Sequence, residues 1–422
     1  MFKPSSQLRN ARRRGFRTLF LCGLLVAVAA VAPPPALRAA PARSEVRALW
    51  VTRGSLVSPQ AISAMVRSAA ASGFNTLLVQ VRGRGDAYFS TQLEPRAVLL
   101  ASQPSSFDPL ATTIALAQEQ GIRVHAWVNV NLVSSGPELP VSRSHIVYRR
   151  PEWLMVPREL ASPLGRLESR SPAYLGRLAR WTRAASEDVE GLYLSPIHRG
   201  AVDHVVAILE QLAGTYPLDG IHLDYVRYPG PDFDYSRAAL TEFRAYLDAD
   251  LTAAERRRFD PRDVTSLIAM TDVYPEGWAN YRRARLNTLV MRARTAVKKR
   301  RPEVLFSAAV YPDPVEAATT RLQDWRTWIE NRMIDVVCPM AYTPDASVFA
   351  SQIAFVREVS GDHAVWAGIG AYRLSSSQTV QNIQTARRLG AEGIVLFSYD
   401  SLTRPPNGNE YLSSVGRAAF TP

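Results

Sequence analysis

A carboxylate that could do chemistry lies near the end of an apolar stretch in the middle of the chain. In the segment 219–229, DGIHLDYVRYP, the alternation of side chains along a strand places His222 and Asp224 on one face, with Asp224 closer to the carboxyl end. A charged group in a buried strand is costly unless it has a partner or a function. The alternative to a functional role is an ion pair with Arg227 or with Arg82.

Polar and aromatic side chains also lie at the ends of the other apolar stretches. The second stretch leads into Arg82, Arg84 and Asp86, and the third ends at Asn129. Carboxylates among aromatic rings suit sugars, whose apolar faces stack on rings while their hydroxyls bind Asp, Asn and Arg. These positions predict a substrate-binding set made of Arg82, Asp86, Asn129, His222, Arg227, Tyr342, Trp366 and Tyr399.

Cleavage of a glycosidic bond needs two carboxyl groups, one as acid and one as nucleophile or base. Asp224 supplies one of them, and we predict Asp313 as its catalytic partner. Asp86, Asp345 and Asp400 follow as alternatives, because each also lies close to the end of an apolar stretch.

Other chemistries lack a motif. The six histidines form no HExxH pattern, and no Walker, dinucleotide or GxSxG motif occurs. A barrel lyase or aldolase would need a lysine or a metal at a strand end, and no lysine lies there. The sequence therefore predicts neither a metal nor a cofactor.

The elements that must position these residues alternate along the chain. Strand-length apolar runs cover residues 46–51, 76–81, 124–130, 220–226, 304–310, 334–340, 364–369 and 393–397, with helical patterns between them. Runs that are apolar on both faces are typical of a parallel sheet covered by helices. Most begin about thirty residues after the previous one, the length of one βα unit. Eight such units predict a (β/α)8 barrel, whose active site lies at the carboxyl ends of its strands.

Two intervals are much longer, from residue 124 to 220 and from residue 220 to 304. They predict large insertions after the third and fourth strands, on the face that carries the active site. Residues 131–197 and 229–276 should therefore wall a groove there.

The amino terminus carries most of the net charge of +12, because the first 42 residues contain seven basic residues and no acidic one. A basic segment up to Arg17 and an apolar run over residues 18–32 predict an export signal over 1–42, by the Sec or the twin-arginine route, with one domain over 43–422. A retained anchor helix is the alternative. We expect a periplasmic or secreted protein that does not bind nucleic acid. The mature chain would keep Cys338 alone, which predicts a buried packing residue.

Several segments in the right order resemble the bacterial family 10 glycosyl-hydrolase-like proteins. They are RALWVT at 47–52, VQVR at 79–82 with GDA at 85–87, HAWVN at 125–129, PEW at 151–153, DGIHLDY at 219–225 and PMAY at 339–342. The resemblance covers residues 45–400 and implies an exported or lipid-anchored TIM barrel; the family includes enzymes that act on peptidoglycan glycan strands. In many relatives the fourth-strand motif looks like a pair of aspartates, and here Tyr225 stands in the second place.

Together these features predict a glycoside hydrolase that cleaves O-glycosidic bonds of a bacterial cell-wall or other extracellular polysaccharide. The alternative is a non-catalytic polysaccharide-binding or wall-attachment barrel that keeps the groove. The sequence leaves open the sugar, the linkage, the stereochemical course and the oligomeric state.

Overall fold

The computed structural model describes residues 45–135, 138–404, 408 and 410–420. The predicted export signal over 1–42 lies outside these residues. In the described chain, parallel strands close into a barrel in sequence order, each paired with the next and β8 paired with β1. The strands are β1 (Val46–Val51), β2 (Thr76–Arg82), β3 (Arg123–Asn129), β4 (Gly220–Asp224), β5 (Leu305–Val310), β6 (Val336–Ala341), β7 (Ala364–Ile369) and β8 (Gly393–Phe397). The (β/α)8 prediction is confirmed.

Helices follow every strand and cover the outside of the barrel. They are α1 (Pro59–Ala71), α2 (Pro109–Glu119), α3 (Ile146–Arg149), α4 (Arg158–Gly165), α5 (Pro172–Ala184), α6 (Arg199–Thr215), α7 (Arg237–Tyr246), α8 (Ala253–Arg258), α9 (Val264–Val273), α10 (Pro275–Arg300), α11 (Pro314–Thr320), α12 (Trp325–Glu330), α13 (Ala346–Ser360), α14 (Ser376–Arg388), α15 (Tyr399–Leu402) and α16 (Glu410–Ala419). None of the helices in the described ranges is long and apolar enough to cross a membrane.

The barrel interior is a small core of its own. Because side chains alternate along a strand, one set points inward and the other packs against the helices. The inward set includes Trp50, Trp127, Cys338, Trp366 and Val395. Cys338 is buried and free, as predicted. A barrel this size is filled by its own side chains, so a ligand can reach only its rim.

The fourth strand ends earlier than its apolar pattern predicts. It stops at Asp224 rather than Val226, because Tyr225 has a φ of 49°. A bulky residue in the left-handed region cannot continue a strand. The turn starts the second insertion directly after Asp224, at the barrel rim.

Both long intervals contain helices rather than loose loops. Helices α3–α5 lie in the interval after β3, and α7–α9 lie in the interval after β4. The second insertion supplies most of a separate apolar cluster that continues into α10, where the ring of Trp278 lies 4.9 Å from that of Phe243. Each insertion therefore gives the carboxyl-terminal face a structured wall.

Candidate active site

Asp224 is the last residue of β4 and lies at the barrel rim. Its Oδ1 accepts hydrogen bonds from the backbone N–H of Tyr225 at 2.6 Å and from Nη1 of Arg227 at 3.0 Å. No described residue donates a hydrogen bond to Oδ2. The side chain is 10% exposed, so one oxygen is held by the protein and the other is left for a ligand.

Arg227 is the partner of Asp224 and is itself buried. Burial alone would lower the pKa of Arg227. The nearby carboxylate of Asp224 outweighs burial and raises this pKa above its ordinary value. The guanidinium carbon lies 4.0 Å from the ring centre of Tyr225 and 5.5 Å from that of Tyr311. The two rings and the ion pair therefore fix the arginine, which in turn orients Asp224.

An aromatic wall stands on the opposite side of the rim. Tyr342 stacks on Phe397 with ring centres 5.4 Å apart, and Trp50 and Tyr372 meet Tyr342 edge-on. Burial raises the pKa of Tyr342 well above its ordinary value, and the nearby charge of Asp224 adds to the rise. The hydroxyl of Tyr342 is therefore neutral and can donate a hydrogen bond. Its contact with a substrate stays a prediction.

Asn129 lies beside Asp224, because the two residues are paired in register at the ends of β3 and β4. Its Nδ2 donates to the carbonyl of Gly83 at 2.8 Å, and its Oδ1 accepts from Nε2 of Gln80 at 3.4 Å. Gln80 accepts from Nη1 of Arg53 at 3.0 Å. This chain of amides forms a buried polar support beneath the rim. Gln80 belongs to the VQVR segment at 79–82, but no sequence pattern predicts a role for it or for Arg53 in the site.

Asp86 lies on the rim next to Arg84. Its Oδ1 accepts from the backbone N–H of Arg84 at 3.0 Å, in a turn where Gly85 has a φ of 72°. Burial and the neighbouring charge of Arg53 lower the pKa of Arg84, while nearby Tyr225 and Asp86 partly offset them. Arg84 and Asp86 line a cavity of about 350 Å³ on the β2 and β3 side of the rim.

Glu190 adds a carboxylate that no sequence motif marks. It comes from the insertion after β3, is half-buried and accepts a 2.6 Å hydrogen bond from the hydroxyl of Tyr193. The rings of Tyr193 and Tyr225 lie 6.2 Å apart. Burial raises the pKa of Tyr225, and the charges of Asp224 and Glu190 both add to the rise. Tyr225 therefore lies within the electrostatic reach of both carboxylates. The only sequence signal for Glu190 was its place in a segment predicted to wall the groove.

Arg82 does not face Asp224, which corrects one expectation. A register shift between Gln80 and Arg82 turns the arginine out of the barrel. Its Nη2 lies 2.6 Å from Oε1 of Glu94, in an ion pair that is almost fully buried. Nε2 of His204 lies 3.2 Å from the same oxygen. Burial would raise the pKa of Glu94, but Arg82 and His204 lower it to about 2. This cluster ties β2 to the surrounding helices.

His222 and Trp366 also lie away from the rim. His222 is fully buried, accepts from Nε1 of Trp50 at 3.0 Å and bonds Ser307 at 2.9 Å. Burial and the nearby His125 lower its pKa to about 3, so it is neutral. Trp366 lies low in the barrel against His125, with ring centres 5.4 Å apart. Both predicted contacts with substrate are therefore wrong: the residues face inward, but below the rim.

Several predicted rim residues serve the local structure instead. Asp313 is exposed and accepts from the backbone N–H groups of Val315 and Glu316 at the start of α11. Asp345 caps α13 in the same way, and Asp400 binds the backbone N–H of Thr52 at 2.6 Å. Tyr399 is buried outside the barrel, within hydrogen-bonding reach of Ser68 on α1. The structure thus gives no support to Asp313 as an acid, and it removes Tyr399 from the rim.

A larger cavity than the one beside Arg84, of about 980 Å³, lies elsewhere. It runs between the insertions and the starts of α6 and α7, and its lining includes neither Asp224 nor the residues bonded to it. In the described part of the chain, His, Cys, Asp and Glu side chains form no group that could hold a metal ion. The residues around Asp224 therefore remain the candidate active site.

A closed parallel barrel with a carboxylate, an arginine and aromatic rings at the carboxyl ends of its strands defines the class of TIM-barrel glycosidase-like proteins. The chain belongs to the family described as glycosyl hydrolase-like 10, whose model matches residues 45–385. This finding confirms the resemblance noted in the sequence.

Curated relatives include two glycosyl hydrolases. DigH of Escherichia coli strain K12 is 24% identical over 290 residues, which are 64% of this chain and 55% of DigH. YngK of Bacillus subtilis strain 168 is 21% identical over 290 residues, which are 64% of this chain and 46% of YngK. The chain spans about half the length of these relatives.

Solved structures of glycosidases share the fold. The PgaB (BpsB) glycoside hydrolase domain from Bordetella bronchiseptica superposes with a TM-score of 0.60 at 16% identity, covering 90% of this chain and all of that domain. A β-galactosidase from Bacillus circulans sp. alkalophilus gives 0.56 at 11% identity, covering 88% of this chain and 55% of the enzyme. At these identities the likeness shows the fold alone.

Proposed function

We propose that this protein is a glycoside hydrolase that acts on a bacterial cell-wall or other extracellular polysaccharide. The observation that carries the proposal is the asymmetry of Asp224: Oδ1 is held by Tyr225 and Arg227, while Oδ2 has no protein donor among the described residues. A carboxylate anchored through one oxygen presents the other in a fixed direction. This is what a nucleophile, or a group that stabilises an oxocarbenium-like transition state, requires.

The surroundings of Asp224 suit a sugar. The rings of Tyr342 and Phe397 offer an apolar surface for one face of a pyranose, and the Tyr342 hydroxyl is a donor for its hydroxyls. Arg227 keeps Asp224 ionised and oriented, and it acts as a positioning residue. Negative charge at Oδ2 would then meet the positive charge that develops at the anomeric carbon.

For the second carboxylate we propose Glu190. It is half-buried, and both its charge and that of Asp224 act on Tyr225. The hydroxyl of Tyr193 orients it from 2.6 Å. A carboxyl group so placed would protonate the leaving oxygen or activate water. Asp86, on the other side of the rim, is the alternative.

The substrate class and the location are also proposals. DigH and YngK are named glycosyl hydrolases. The basic and apolar segment over 1–42 would direct the chain to the periplasm or the exterior, where wall polymers are accessible. Purified, peptide-free glycan strands are therefore the first substrate to test.

The test is the release of reducing ends from such strands and from a panel of other extracellular polysaccharides. We expect release by the wild-type protein and almost none by Asp224→Asn. If the wild-type protein releases none from any polymer, hydrolysis is ruled out.

A non-catalytic polysaccharide-binding barrel is the second candidate. It is favoured by the fact that Asp313, Asp345 and Asp400 are all engaged by backbone N–H groups. A binder would retain polysaccharide unchanged in a pull-down, and Asp224→Asn would bind it nearly as well as the wild-type protein does.

A further inference from the structure

A second groove lies on the same face of the barrel as Asp224. Its volume is about 680 Å³, and it runs between the two insertions. Trp181 of α5 lines one side, Phe233 lies in the loop after β4, and Arg321 follows α11. All three segments leave the carboxyl ends of strands, so the groove opens toward the same solvent as the rim.

Residues that line the groove neighbour residues around Asp224 in two places. On one side it is lined by Val189, and the next residue is Glu190, whose charge reaches Tyr225. On the other side Arg321 lies 5.4 Å from the ring centre of Tyr311. Arg227 lies 5.5 Å from the same ring and binds Asp224. These contacts place the groove next to the residues that hold Asp224.

The groove has the chemistry of a sugar site. The indole of Trp181 is held by a 2.8 Å hydrogen bond from Nε1 to Glu159 and by the ring of Phe233, whose centre lies 5.8 Å away. Trp181 is only half-buried, so part of a rigid ring remains open to the groove. The exposed carboxylates of Asp188 and Asp232 lie on the same lining and can accept from hydroxyl groups.

We propose that this groove binds further sugar units of the same glycan chain that is cleaved at Asp224, with Trp181 as the stacking platform. The inference rests on the proposed function and extends it: it assigns a second binding position for the glycan chain, away from the bond that is cleaved. Rigid aromatic rings give large contact area at a low cost in conformational entropy, so Trp181 should carry much of the binding energy in the groove.

The experiment measures binding separately from cleavage. The full chain carrying Asp224→Asn is titrated with a disaccharide fragment and with long, peptide-free glycan strands. Adding Trp181→Ala should weaken binding of the long strands by about tenfold and leave the disaccharide unchanged. Trp181→Phe should restore most of the affinity. Phe355→Ala is the control, because it removes an exposed ring on α13 outside the groove.

Asp188→Ala guards against misfolding of the tryptophan variant, because this exposed carboxylate can be removed without disturbing the core. It should weaken long-strand binding by about two- to tenfold. Equal affinities in the Trp181 variants and their parent, or equal losses for both ligands, would overturn the groove assignment. If the wild-type protein cleaves the strands but the Trp181→Ala variant binds them as tightly as its parent, the groove assignment is wrong and the proposed hydrolysis stands. Binding that depends on Trp181, with no reducing ends released by the wild-type protein, would do the reverse. Absence of strand binding by Asp224→Asn, with reducing ends released by the wild-type protein, would overturn the groove assignment alone.

Discussion

Arg227 forms an ion pair with Asp224, which lies three residues earlier in the chain. Nη1 of the arginine is 3.0 Å from Oδ1 of the aspartate, and both side chains are almost completely buried. A buried charge is stable only with its partner, so the two residues act as one unit. The pair is possible because the left-handed turn at Tyr225 brings residue 227 back over the end of β4. The same turn leaves Oδ2 as the oxygen that a ligand can reach.

Replacing Asp224 with Asn should remove the activity in a protein that still folds but is less stable, because buried Arg227 loses its anion. The amide has the shape of the carboxylate, but it lacks the charge that meets an oxocarbenium-like transition state. We expect kcat to fall on the order of a thousandfold. The measurement is the rate of reducing-end release, with circular dichroism to check the fold. Asp313→Asn is the matched control and should cleave normally. Normal turnover by folded Asp224→Asn would make the residue a structural ion-pair partner.

Replacing Glu190 with Gln should lower kcat by about a hundredfold or more, since a general acid or base contributes that much. The hydrogen bond from Tyr193 can persist, so a Tm close to the wild-type value is expected. Glu187→Gln, an exposed change in the same segment, should have no effect on the rate. If Glu190→Gln cleaves at the wild-type rate, the assignment moves to Asp86.

Replacing Glu94 with Gln should destabilise the protein without a specific effect on the active site. The change leaves Arg82 buried without its anion, which costs about 3 to 5 kcal/mol. Urea denaturation measures the loss, and KM of the remaining folded protein should be unchanged. The folded-state pKa of about 2 lies below the ordinary 4.5, so the wild-type pair stabilises above pH 4.5 and loses this effect as the pH falls toward 2. A variant that unfolds at the wild-type urea concentration would contradict this role.

The two histidines inside the barrel should make the protein sensitive to acid. Burial lowers the pKa of His125 and of His222 to about 3, from an ordinary 6.5. Between these values the unfolded chain binds protons that the folded chain does not, so stability falls as the pH drops from 6.5 to 3. Each histidine contributes a slope of about 1.4 kcal/mol per pH unit. Urea denaturation at a series of pH values measures the slope, and His125→Gln should reduce it by one histidine's share. An unchanged slope in that variant would contradict the assignment.

The barrel could be predicted because its strands are apolar on both faces, which few other structures require. The site could be predicted only in part. The alternation of side chains along a strand predicts which face a residue lies on, but not how far along the barrel axis it lies. Trp366 was therefore predicted at the rim, although it is only the third residue of β7. The bulge between Gln80 and Arg82 turns Arg82 outward, and no pattern of apolar residues predicts where a bulge occurs. Asp313 precedes Pro314, a common pattern at the first turn of a helix, and this signal already favoured a cap.

The pairing of β1 with β8 has a consequence for synthesis of the chain. Thr52, just after β1, binds Asp400, 348 positions away, and Arg387 on α14 binds Glu45 just before β1. A nascent chain therefore cannot close the barrel until residues 393–397 have left the ribosome. Until then β1 keeps an unpaired edge, which is a site for aggregation. The barrel must wait for β8 before it can close, and ribosome-bound chains that stop short of β8 should be digested readily by protease.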